Sequence, residues 1–149
     1  MLSTWKEFEE MAESLAQLGR ERLDGQICYL ATTQPSGAPR VHPVTPIIGG
    51  ENLYVFMEPT SPKRSDLNAD ERYALHSSVR TNTGEGGEFL VNGTAIETDD
   101  NNERRLVNEA SSYEIEDRYV LFRLDVGRVL YTEYEDAGPE RERWHSLTK

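Results

Sequence analysis

The residues of this chain best suited to chemistry are Ser61-Pro62-Lys63-Arg64, which open a short helix with two cations in its first turn. Ser61 is a good N-cap and Pro62 fits the first helical position. Lysine and arginine there oppose the helix dipole and sit beside unpaired backbone N–H groups. That arrangement costs stability unless an anion arrives. The plainer reading is a solvated basic turn. Against it, the 149-residue chain has 27 acidic and 16 basic residues and a net charge of −11, so a basic turn stands out from its surroundings. A third cation, Arg40, lies upstream on an extended segment, 38–48. A hairpin through Gly49-Gly50 to the next strand, 53–57, would bring Arg40 toward Lys63 and Arg64. Three cations would then face one anion, a phosphate. Pro39, Pro43 and Pro46 each remove a ladder donor, which suits an edge, a bulge or a backbone lying against a ligand. The free backbone groups could take a flat polar ring, and Phe56 and Met57 offer it apolar, polarizable contact.

Other chemistries find less support. His42, His76 and His145 are the only histidines, with no ligand-like spacing between any two, and a single cysteine argues against a structural zinc site. Cys28 lies within an apolar strand, where a thiol behaves as a small hydrophobe. The sequence has no G-x-S-x-G elbow and no phosphate-binding P-loop. An isoelectric point near 4.7 and a mean hydropathy of −0.69 accompany the acidic balance. Such a field repels nucleic acid and anionic lipid. With no apolar run of membrane-spanning length and no leader pattern, the sequence reads as cytoplasmic.

The elements that must position the cations follow from pattern. Trp5, Phe8, Met11, Leu15 and Leu18 recur at helical spacing, so an amphipathic helical region is expected over 1–23, with Thr4 and Glu7 available for a capping box and Gly19 as a stop or interruption. A barrel is expected over 26–149. Its strands are 27–33, 38–48, 53–57, 72–79 and 88–97, with Gly93 marking a bulge or close approach. A helix is expected over 101–110. Two strands then bend at 125–127, a charged loop follows at 135–143, and a last strand carries Trp144. The reading is a single domain, mainly β with added helices (α+β), built on an antiparallel barrel.

The ordered set L-A-T-x-x-x-x-G-x-P-R-V-x-P-V, from Leu30, and T-S-P-K-R-x-D-L-x-x-D-x-R-x-x-L, from Thr60, resembles the pyridoxamine 5′-phosphate oxidase-like family, the FMN-binding split β-barrel. The resemblance runs from about 27 to 79 and thins after 97. It implies that Arg40 and Lys63 bind the flavin phosphate, with Ser61 beside them and Arg64 standing in for a second family cation where this chain has Pro62. It places Val41, His42, Pro43 and Val44 along the isoalloxazine edge, and Phe56 and Met57 at the cofactor. It further implies a homodimer with cofactor sites at the interface, the partner contributing an aromatic like Trp144. Glu88 stands where the oxidase often has glutamine. The longer N-terminal region and substrate-binding tail of the oxidase have no counterpart, so oxidation of pyridoxamine phosphate itself is not expected. The implied function is FMN-dependent oxidoreduction of a small molecule, with His42 the nearest side chain to tune the ring. The alternatives are an F420-dependent enzyme of the same fold, a non-catalytic flavin or haem protein (His145 being the haem candidate), and a cofactor-free barrel.

Overall fold

The computed structural model describes residues 2–147. Thr4 starts the first helix, α1 (Trp5–Met11), through a reciprocal capping box: Thr4 Oγ1 accepts from the Glu7 N–H at 3.1 Å, and Glu7 Oε1 accepts from the Thr4 N–H at 2.9 Å. The helical region breaks at Ala12, not Gly19, and continues as α2 (Glu13–Leu23). Gly19 serves packing instead: a Cβ there would lie 2.5 Å from Phe89 Cζ and 2.7 Å from Trp5 Cη2. Trp5, Phe8 and Phe89 are buried together, so the two helices pack onto the main core of the sheet.

The strands are β1 (Cys28–Thr33), β2 (Pro39–Val44), β3 (Ile47–Gly49), β4 (Asn52–Met57), β5 (Arg72–Ser77), β6 (Glu88–Thr98), β7 (Val120–Glu135) and β8 (Gly138–His145). Helix α3 (Pro62–Ala69) follows β4, and α4 (Asn101–Ala110) follows β6. All pairings are antiparallel, in the order β2-β1-β5-β6-β7-β4-β3, with β8 also on β7. The fold is α+β, as expected. Cys28, Leu30, Leu75, Val91 and Val129 point into the core, and burial pushes the Cys28 thiol up to about 12.

Three expectations about the strands need correction. The segment 38–48 is not one strand. Its prolines divide it, so β2 pairs only with β1 and β3 only with β4, at opposite ends of the sheet order. The two strands expected over 119–134 form one continuous strand, β7 (Val120–Glu135). The irregularity is a bulge within it at Gly127, which is left unpaired between Val126 and Arg128, opposite Asn92 and Gly93 on β6; there a Cβ on Gly93 would collide with the Asp125 carbonyl oxygen. The charged run after Glu135 is strand rather than loop: β8 begins at Gly138, and its exposed side chains carry no apolar alternation to betray it.

The division at Thr45-Pro46 decides the architecture. Val44 ends one edge strand and Ile47 begins the other, so the two free edges are at most about 11 Å apart there. The sheet curls until its ends nearly meet without pairing. A split remains between the outer edge of β2 and the Val55–Met57 part of β4, which extends beyond the reach of β3. A second cluster, with Tyr54, Phe56, Val107 and Leu121, packs α4 and the following loop over the back of β4 and β7.

Candidate functional site

Alternation along β2 sends Arg40, His42 and Val44 to its half-buried face and leaves Pro39, Val41 and Pro43 exposed. Arg40 is opposite Thr32 and His42 opposite Leu30 on β1. Helix α3 packs against this edge. Ser61 caps it, its Oγ accepting from the Lys63 N–H at 3.3 Å, and Lys63, Asp66 and Leu67 fall at the i, i+3, i+4 positions that share a helix face.

Asp66 is the residue that sequence reasoning missed. Its side chain is 2% exposed, yet it is a carboxylate. Arg40 Nε donates to Asp66 Oδ2 at 2.7 Å, and Thr32 Oγ1 donates to the same oxygen at 2.8 Å. Burial alone would raise this carboxyl, but the hydrogen bonds from Arg40 and Thr32 and the positive charge of Arg40 bring it below its usual range. The clue in the sequence was an aspartate on the apolar face of a short helix. Its effect is to hold the Arg40 guanidinium by one nitrogen, leaving both Nη groups without a protein partner among the described residues.

Lys63 stands differently. Among the described residues no carboxylate lies within ion-pair distance of its Nζ, and burial lowers its pKa. His42 is beside it. Burial, then the charges of Lys63 and Arg40, lower the imidazole pKa, with Asp66 opposing. Its Nδ1 is buried without a hydrogen-bond partner, and its Nε2 also has none among the described residues. The corner thus holds an uncompensated cation, two spare guanidinium nitrogens and an unbonded imidazole. These are groups an anion satisfies.

Arg64 does not join them. Its Nε and Nη2 bind Glu97 in a fork at 2.7 and 3.0 Å, and its Nη1 donates to the Pro59 carbonyl at 3.2 Å. The expected convergence of three cations is therefore not what the structure has: only Arg40 and Lys63 adjoin, and Arg64 is committed to Glu97 and Pro59. Arg64 anchors α3 to β6 instead, and the arginine's positive charge holds the Glu97 carboxyl below its usual value through that bond.

Beside this corner, at the split, lies a pocket of about 340 Å³ lined by Pro43, Val44, Phe56 and Met57 together with Tyr113 and Tyr119. Four expected site residues therefore meet across the two free edges, by the closing of the sheet and not by the hairpin inferred from sequence. Phe56 and Met57 are nearly buried: Met57 belongs to the main core, and Phe56 lies under the Arg104 guanidinium at 5.2 Å. The loop wall was not foreseen. Tyr113 Oη donates to the Thr45 carbonyl at 3.0 Å, and Arg104 donates to the carbonyls of Glu116, Asp117 and Tyr119. Trp144 lies elsewhere in the chain, on β8, with its ring 4.8 Å from that of Phe8. Val41 is 62% exposed on the outer face of β2.

No protein-family model matches the chain, and no curated protein matches it in sequence. Solved structures do. A haem-binding protein from Mycobacterium smegmatis matches at TM-score 0.68 and 15% identity, over 88% of this chain and 57% of that one, so the chain spans little more than half its length. A pyridoxamine 5′-phosphate oxidase-related, FMN-binding protein from Nostoc punctiforme matches at TM-score 0.62 and 14% identity, over 95% and 97% of the two chains. An F420 reductase matches at TM-score 0.58 and 16% identity, over 74% and 94%. At these identities the likeness speaks for the fold. The chain has the pyridoxamine 5′-phosphate oxidase-like split-barrel fold.

Proposed function

We propose that this protein is a homodimeric FMN-binding oxidoreductase acting on a small molecule. The observation that carries the reading is the corner of Lys63, Arg40 and His42, whose unsatisfied groups adjoin a pocket at the split. A molecule with a phosphate at one end and a flat ring at the other fits that sequence of chemistries. Lys63 and the Nη groups of Arg40 would hold the phosphate, with Ser61 fixing the first turn of α3. Pro43 and Val44 on one edge, and Phe56 and Met57 on the other, would flank the ring. The bound flavin supplies electron or hydride transfer, and the protein supplies orientation and electrostatics. F420 is the second reading, supported by the likeness to an F420 reductase. The net charge of −11 opposes its anionic tail.

Dimerisation is proposed from the outer sheet face. Register aligns Pro43, Tyr29, His76, Leu90 and Leu130 in one row across β2, β1, β5, β6 and β7. Tyr29 is 45% exposed, and Val41 and Ile27 on the same side exceed 60%. This largely apolar face beside the pocket favours a second copy, whose β8 would complete the site. Sedimentation should give a dimer, and a monomer that still holds one FMN per chain would overturn this part. The cofactor reading is tested by titrating FMN and riboflavin while recording visible spectra. Bound oxidised flavin with FMN preferred supports it, and equal affinity for the two rejects the phosphate assignment.

A further inference from the structure

Charge in the anion corner does not balance for every phosphate. Arg40 is matched by Asp66 and Arg64 by Glu97, which leaves Lys63 as the one uncompensated cation there among the described residues. A phosphate diester, with a single negative charge, would be neutralised by Lys63 alone. A monoester above its second pKa, about 6, brings two charges and leaves one uncompensated. Among the described residues, the titratable group in the corner that can supply the missing positive charge is His42, with both ring nitrogens free of protein partners.

We propose that His42 is the proton acceptor of this site: a phosphate monoester binds as its dianion together with one proton taken from solvent onto the His42 imidazole. The inference rests on the anion-site reading above and extends it, since it makes the site select monoesters over diesters. The groups facing His42 agree. Lys63 and Asp66 come from α3, Arg40 from β2, and the residue across the ladder on β1 is the uncharged Leu30. In the free protein, burial and the charges of Lys63 and Arg40 lower the imidazole pKa below its ordinary value of 6.5, which favours the neutral ring. A dianion placed among them reverses the local field and favours the imidazolium. No oxidant or second reactant is needed, because the step transfers one proton from water to a ring nitrogen.

FMN carries a monoester, F420 a diester, and riboflavin no phosphate. Calorimetric titration of the full chain at pH 7.5, in two buffers of different ionisation enthalpy, counts the protons taken up. FMN should bind with uptake approaching one proton, and riboflavin with none. FMN affinity should fall by up to about tenfold per pH unit above pH 7, while riboflavin affinity stays flat. His42→Gln should abolish the uptake and flatten the FMN profile. Preferred FMN binding without uptake by the wild type, which needs no variant to fold, would overturn this inference and leave the phosphate site standing. Uptake that persists in His42→Gln would place the proton on the phosphate and also overturn it. If the wild type shows no preference for FMN over riboflavin, the anion site falls and the inference with it.

Discussion

Replacing Lys63 with alanine is expected to weaken FMN binding roughly 10- to 150-fold, because a charge-assisted hydrogen bond contributes about 1.5–3 kcal/mol. Riboflavin should bind nearly as before, since it has no phosphate for Lys63 to meet. The free protein should keep its stability or gain slightly. Lys63 has no carboxylate partner among the described residues, burial lowers its pKa, and its charge opposes the α3 dipole. Parallel titration of both flavins, with a thermal melt of the free variant, reads all three quantities. An equal loss for FMN and riboflavin would mean that Lys63 supports the fold of the pocket rather than a phosphate.

Arg40→Ala should behave differently, because its guanidinium has a structural task. Removing it leaves Asp66 buried with Thr32 as its remaining partner. The expected cost is about 3 kcal/mol, the lower end for breaking a buried pair, because Arg40 retains contact with water. The pH dependence has a definite sign. In the wild type the Asp66 carboxyl is held below its ordinary value of 3.8, so its stabilisation is complete above that value and lost as pH falls through the lower folded one. Without Arg40, burial, already the largest single influence, is opposed chiefly by the Thr32 hydrogen bond and raises the carboxyl. Acidification then protonates and relieves the variant, so the stability gap should narrow between pH 7 and pH 4. Arg40→Lys should recover part of the stability but little of the FMN affinity, since an ammonium engaged by Asp66 has no second planar arm for phosphate. Urea midpoints at the two pH values test the argument, and a gap that widens in acid would contradict it.

The local elements were legible because each is determined by neighbours in the chain. Thr4 and Glu7 cap α1 across one turn, and Ser61 and Pro62 start α3. The prolines confine β2 to an edge, and Gly93 marks the close approach opposite the β7 bulge. The resemblance in 27–79 likewise led to the fold that the structure has. What the sequence by itself did not determine is which charges are spent. Arg64 and Lys63 are adjacent and look equivalent in the sequence. Glu97, 33 positions away from Arg64, neutralises one, while nothing comparable reaches the other. Asp66 similarly selects Arg40 across 26 positions. Nor could local pattern reveal that 38–48 divides between opposite edges of the sheet, since a short hinge at Thr45-Pro46 looks the same in a strand with a bulge. The physical reason is common to these cases. Caps, turns and prolines act through the backbone within a turn or two. Ion pairing and burial depend on which distant side chain the closed sheet brings across, and only the tertiary structure decides that.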